Sequence, residues 1–185
     1  VFAHRSDARL QNVKVLNKMN GDLHTYASAN IGLDTPTNRL ATTVDLKVGA
    51  KVRLLTNRDV AEGLTNGTFG TISEFRYARV VDRDSNTKRI MVLPLFRHQL
   101  GDEHFLEHLI PPISATFRHD TLCSGARSQL PLEAAYAATC HTFQGSTVSE
   151  TLCTDASKFF DYQMGYTTLG RIRGLHQFQT YGKKP

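Results

Sequence analysis

No apolar run in this 185-residue chain approaches the roughly 18 residues that a membrane-spanning helix needs. No basic-then-apolar leader with a cleavage site opens it, so the sequence gives no support for secretion. Cysteine is scarce. Cys123, Cys140 and Cys153 are odd in number and too few for a disulfide framework, which points to reduced thiols in an intracellular protein. Internal repeats, low-complexity tracts and a CxxC pair are all missing. So is any Gly-x-x-x-x-Gly-Lys-Ser/Thr segment; Gly63 to Gly70 does not qualify, because it has no lysine. Hydrolysis of a nucleoside triphosphate by this chain alone is therefore not expected. The chain opens without Met on Val1-Phe2-Ala3, which reads as a strand cut at its start, and a fragment of something longer is expected.

What is present is globular in character. Hydrophobic residues make up 40% and charged residues 21%, in a length that suits one substantial domain or two small ones. The net charge of +5 favours polyanions through counterion release, although many proteins of this charge bind none.

Patterning divides the chain into three stretches. Ser6 or Asp7 can cap a helix running to about Met19, with Leu10, Val13 and Leu16 on one face and Gly21 as a stop. A short strand fits His24 to Ala27, and Asp34 to Asn38 reads as a linker. From about 41 to 128 the pattern is one of short strands. Lys51 to Leu55 alternates, Leu64 to Gly67 is a hairpin-type turn, Thr68 to Asp82 alternates again, and a turn at Asp84 to Asn86 leads into Lys88 to Phe96. Closely spaced strands with Gly and Asn turns suggest a small barrel, and Gly101 to Ser128 reads as irregular. Beyond Leu130 the α/β character returns. It brings a strand near Thr151 to Thr154, a helix from about Tyr162 to Arg173 and a last strand near Gln177 to Tyr181. The simplest architecture is an α/β domain built from both ends with a barrel inserted in its middle.

Two segments carry chemistry. Thr139-Cys-His-Thr-Phe-Gln-Gly-Ser-Thr147 reads as a strand, a helical turn and a glycine bend. His141 and Gln144 would share a face of that turn, Gly145 would let a ligand approach the backbone, and Ser146 and Thr147 could bind phosphate oxygens. The same residues also fit a capped turn around a satisfied buried histidine. Tyr166-Thr-Thr-Leu-Gly-Arg-Ile-Arg173 places Arg171 and Arg173 at a helix end. An arginine held there suits a γ-phosphate, while a basic helix C-terminus that complements the helix dipole is the plainer alternative. Arg173, followed by Gly174, fits that alternative well, so Arg171 is the functional candidate.

Elsewhere, His104, His108, His119 and Cys123 imitate zinc-ligand spacing, but Pro111-Pro112 and the missing CxxC favour a solvated basic loop, and no metal is expected. Phe69, Phe75 and Tyr77 could stack bases or fill a barrel core. Phe159 and Phe160 would anchor the helix carrying Arg171.

These residues resemble the carboxy-terminal part of superfamily-one DNA helicases of the PIF (petite integration frequency) and RecD type. Thr139 to Thr147 is similar to that family's fifth motif and Tyr166 to Arg173 to its sixth. Leu46 to Asn57 with Gly63 to Gly70 resembles the opening of its inserted SH3-like barrel. Val1 to Asn30, with Asn12, Gly21, Tyr26 and Ser28, resembles its fourth-motif region. The resemblance implies a RecA-like P-loop NTPase-type second motor domain interrupted by a small SH3-like β-barrel. Residues 1–40 and 129–185 would form RecA-like domain 2A, and 41–128 the SH3-like domain 2B.

By the same resemblance Arg171 would be the arginine finger, with Gln144, Gly145 and Arg5 toward the nucleotide. His141, Ser146, Thr147, Asn66 and Gly67 would meet single-stranded DNA. ATP with Mg2+ would be held mainly by a preceding RecA-like domain. The implied partners are single-stranded DNA, duplex junctions and that preceding domain, with movement 5′ to 3′, no membrane and a monomeric state. A role in DNA replication, repair or recombination would follow, in the nucleus or at a site of viral or mobile-element replication. Where the family usually has lysine, serine and asparagine, this chain has Thr142, Gly170 and the pair Arg5-Ser6. A glycine inside a helix costs about 1 kcal/mol, so the substitution at Gly170 would loosen the helix that bears Arg171.

Overall fold

The computed structural model describes residues 1–32, 40–81, 88–101, 104–120, 123–143 and 151–181. Its elements in order are α1 (Arg5–Lys18), β1 (His24–Ala27), β2 (Ala29–Ile31), β3 (Thr43–Leu46), β4 (Lys51–Leu54), β5 (Phe69–Val81) and β6 (Lys88–Leu100). There follow β7 (His104–Leu109), β8 (Ile113–Asp120), β9 (Cys123–Gln129), β10 (Leu132–Ala134), β11 (Leu152–Thr154), α2 (Tyr162–Leu169) and β12 (Phe178–Thr180). The chain forms two compact units, one of Val1–Lys18 with Ala135–Pro185 and one of Met19–Ala134. The fold is mixed α/β. The expected linker at 34–38 and the turn at 84–86 lie outside the described residues.

The described residues of the Met19–Ala134 unit form β-strands and the turns between them. Its main sheet has the order β10-β4-β5-β6-β7 with antiparallel neighbours, beside a three-stranded sheet β2-β9-β8 and the pair β1-β3. Alternation in β4 turns Val52 and Leu54 inward and Lys51 and Arg53 outward, as the sequence pattern requires. In β6 the run Leu93-Pro-Leu-Phe96 is buried without alternation, so both faces of that strand are covered. Gly70 is obligatory where the Phe96 ring lies across β5, because a Cβ there would sit 2.5 Å from both a ring carbon and the Arg97 carbonyl oxygen. Between β4 and β5 the chain makes a long excursion that closes at Leu54, whose N–H donates to Thr68 O while Gly67 N–H donates back to Leu54 O.

The stretch from Gly101 to Ser128, expected to be irregular, instead holds β7, β8 and most of β9. The cause lies in how β9 buries its inner face. Arg127 and Gln129, not aliphatic residues, point inward. Arg127 donates from Nε to Asn30 Oδ1 at 2.9 Å and from Nη1 to Leu40 O at 2.8 Å. Gln129 Nε2 donates to Tyr26 O at 2.8 Å, and its Oε1 accepts from Leu130 N–H at 2.8 Å. A strand that satisfies polar groups inward has no hydrophobic alternation to read.

In the other unit, Phe2 bridges Thr139 in parallel and β11 pairs with β12 in parallel. A small core of Ala3, Cys140 and Met164, with Val1 and Phe159 against it, holds the elements together. The expected apolar face of α1 is not the buried one: Leu16 is inside, but Leu10 and Val13 are 59% and 47% exposed. The helix seats instead through Ala8, Asn12 and Leu16, spaced one turn apart. Asn12 Nδ2 donates to Ala137 O at 2.8 Å, and Ala137 N–H donates to Asn12 Oδ1 at 2.7 Å.

Helix α2 begins at Asp161, whose carboxylate accepts from Gln163 N–H at 2.8 Å, a regular N-cap. It ends at Leu169 rather than at Arg173. Gly170 caps it by donating to Tyr166 O at 2.9 Å.

Candidate nucleotide and nucleic-acid interface

The turn that opens the first chemical segment is short and tightly held. Thr139–Phe143 includes one 3-10 turn, Cys140–Phe143, in which Thr142 N–H donates to Thr139 O at 2.9 Å and the two threonine hydroxyls lie 3.0 Å apart. Cys140 is buried, and its thiol lies 3.7 Å from Phe2 O. His141 belongs to this turn by its backbone. Gln144, Gly145, Ser146 and Thr147 lie outside the described residues.

The second segment leaves α2 through two further tight bonds. Arg171 N–H donates to Thr168 O at 3.2 Å, and Ile172 N–H to Leu169 O at 3.4 Å. Arg171 is half-buried, and its Nε donates to Thr167 O at 3.1 Å. That bond fixes the guanidinium against the helix end. Among the described residues its Nη nitrogens have no partner, so they suit a bidentate contact with an oxyanion such as a phosphate. Arg173 is exposed and its backbone N–H is held by Gln177 Oε1 at 2.8 Å. The two arginines are thus differently placed, and only Arg171 has a side chain tied to α2.

The two segments meet in one core. Thr168 of α2 and Cys140 of the turn are both buried, with Oγ1 3.4 Å from Sγ. Neither residue stood out in the sequence as functional. Arg5, the first residue of α1, is exposed.

Asn66 and Gly67 belong to the other unit. Asn66 is exposed, its backbone N–H bound to Asn57 Oδ1 at 2.7 Å, and Gly67 adopts φ +96° with open space where a Cβ would be. Farther along, the β5–β6 hairpin presents Tyr77, Arg79 and Val81 on one face, opposite Ile90 and Lys88. Tyr77 is 83% exposed. The aromatic candidates therefore divide. Phe75 stacks on His24 with ring centroids 3.7 Å apart, while Tyr77 faces solvent. In the first unit, Phe159 packs into the core, but Phe160 is exposed and stacks on His4 instead of anchoring α2.

The histidines of the β-unit form a stack. His98 is 2% exposed, with its ring centroid 5.5 Å from those of both Phe96 and His108. His108 Nε2 lies 3.3 Å from Glu62 Oε2, within ion-pair range but without hydrogen-bond geometry. Desolvation, and secondarily His108, pushes the His98 pKa below its ordinary value, against weaker opposing effects of the Gln99 backbone and Glu62. Among the described residues no three His, Cys, Asp or Glu side chains are grouped as metal ligands.

The architecture defines a class first. Across 98% of this chain it matches 44% of the crystal structure of Pif1 helicase from Candida albicans, with TM-score 0.78 and 27% identity, so the chain has the fold of the matching part of that structure. Residues 36–75 match the family described as DNA helicase Pif1, 2B domain. The Xenopus laevis ATP-dependent DNA helicase PIF1 is 28% identical over 182 residues, covering 93% of this chain. The crystal structure of Bacteroides Pif1 bound to ssDNA covers the whole chain and 40% of its own, with TM-score 0.65 and 21% identity, a likeness of fold. The chain is similar to the carboxy-terminal portion of PIF1-type superfamily-one helicases. It spans about a quarter of the length of the Xenopus relative, 25%.

Proposed function

We propose that this chain is the carboxy-terminal part of an ATP-dependent DNA helicase motor, with Arg171 as its arginine finger. Val1–Lys18 with the residues from Ala135 onward would serve as the second RecA-like domain, and the β-unit as the SH3-like insertion. The observation that carries this reading is the seating of Arg171. Its Nε is tied to Thr167 O at the end of α2, and α2 is docked through Thr168 on the turn that leads toward Gln144–Thr147. ATP, when bound with Mg2+ mainly by the preceding RecA-like domain, would supply a γ-phosphoryl group whose transfer develops negative charge. Arg171 would stabilise that charge with its Nη groups, which have no partner among the described residues. His141, Ser146, Thr147, Asn66 and Gly67 would hold single-stranded DNA, while Gln144, Gly145 and Arg5 would face the nucleotide. Movement would be 5′ to 3′ by a monomer acting at duplex junctions in the nucleus or at a viral or mobile-element replication site.

The test uses the full-length protein. Arg171→Ala should abolish DNA-stimulated ATP hydrolysis, by about 1,000-fold or more, and leave single-stranded DNA binding intact. Survival of hydrolysis refutes the finger assignment. A second reading, a nucleic-acid-binding module without catalysis, is favoured by the exposed face of Tyr77, Arg79 and Lys88, which needs no nucleotide. It predicts DNA affinity in the full-length protein that is indifferent to bound nucleotide.

A further inference from the structure

Thr168 belongs to the second chemical segment and touches the first through Cys140. Its carbonyl oxygen accepts from the Gly170 N–H at the helix cap and from Arg171 N–H at 3.2 Å. Its hydroxyl has one proton and two acceptors in reach: Met164 O at 2.7 Å, inside the helix, and Cys140 Sγ at 3.4 Å, on the neighbouring turn. Both Thr168 and Cys140 are buried, so neither contact competes with water. The Cys140 thiol in turn lies near Phe2 O, so the line runs from Arg171 through Thr168 and Cys140 to the strand residue beside Thr139.

A hydroxyl that bonds back to the carbonyl four residues earlier slightly bends its helix. Thr168 is the penultimate residue of α2, and its hydroxyl bonds back to Met164 one turn earlier, so such a bend sets the direction in which the chain leaves toward Arg171. A valine has nearly the same shape and no proton. It would fill the space but release the hydroxyl from both acceptors.

We propose that Thr168 is the positioning residue for Arg171, fixing it relative to the Thr139–Phe143 turn through Cys140, an inference that rests on the arginine-finger reading above. The methyl group of Thr168 packs; the hydroxyl aims the arginine.

The experiment compares Thr168→Val and Thr168→Ser in the full-length protein, with Arg171→Ala alongside. Thr168→Val should lower DNA-stimulated kcat about 10- to 100-fold, as misplacement of a charge-stabilising group does. KM for ATP, Kd for single-stranded DNA and the melting temperature should stay near wild type. Thr168→Ser should recover kcat to within about two-fold, because the hydroxyl is restored. Wild-type kcat in Thr168→Val overturns the proposal, as does a serine variant no better than the valine one. Loss of kcat in step with melting temperature also overturns it, since packing alone would explain that. If the wild-type protein shows no DNA-stimulated hydrolysis, or Arg171→Ala retains it, the arginine-finger reading itself has failed and this role falls with it.

Discussion

Replacing Asn12 separates two accounts of why α1 docks. The apolar pattern of Leu10, Val13 and Leu16 would make the buried side of the helix a greasy stripe, into which a leucine at position 12 could fit at no cost. The observed docking instead rests on the reciprocal pair between the Asn12 amide and the backbone of Ala137, at 2.8 and 2.7 Å. Ala137 is 5% exposed, so its N–H and C=O lose their side-chain partner with little water to replace it. Each stranded group costs about 1–3 kcal/mol, and the pair together about 2–4 kcal/mol when the backbone relaxes in part. With an m-value of about 2 kcal/mol/M, this shifts the urea midpoint of that unit by about 1–2 M. Urea unfolding of the 185-residue chain should be followed by amide exchange in α1, because the chain has two units and a single global signal would mix them. Asn12→Ala and Asn12→Leu should both lower the midpoint by that amount. A leucine variant at or above the wild-type midpoint would refute the reasoning and restore the apolar stripe.

The remaining predictions follow from single contacts. Gly70→Ala would drive a methyl group to 2.5 Å from the Arg97 carbonyl and the Phe96 ring, so a loss of about 1–3 kcal/mol is expected in the denaturation midpoint of the β-unit. Gly67→Ala meets open space and suffers only its φ of +96°, and should cost about 1 kcal/mol, less than Gly70→Ala. The lowered pKa of His98 means that the unfolded chain takes up a proton more readily than the folded one. Stability from the neutral ring is therefore complete above the unfolded value of about 6.5 and is lost as pH falls below it. His98→Gln should flatten the fall of the β-unit's midpoint below that pH, and an unchanged slope would contradict the assignment. Arg79→Glu with Lys88→Glu should weaken single-stranded DNA binding and reduce the slope of log affinity against log salt by about 1 or more. Equal affinity and slope would remove the hairpin from the interface.

Much of the fold was legible because local chemistry and tertiary demand agree. β1 and β4 fall where alternation and turn residues put them, and α2 starts at Tyr162 as expected. The misreadings of α1 and of Gly101–Ser128 share one cause: inward-facing polar groups. Asn12 occupies the middle of the buried side of α1, and Arg127 with Gln129 line the inside of β9. Hydropathy periodicity cannot register a core that is satisfied by hydrogen bonds. The overlong α2 arose from reading Gly170 as an interior residue, whereas it caps the helix and starts a tighter turn that holds Arg171. Of the candidate site, the residue types and their order along the chain were readable. The Cys140–Thr168 contact was not, because a thiol and a hydroxyl 28 residues apart carry no sequence signal of their meeting.

The most direct test is a structure of the full-length protein with single-stranded DNA and a transition-state mimic of the γ-phosphate. The account predicts Arg171 Nη within about 3 Å of the mimic, with the backbone of Ser146 and Thr147 against the DNA strand. An Arg171 turned away from the nucleotide, with Arg173 or another cation in its place, would contradict it.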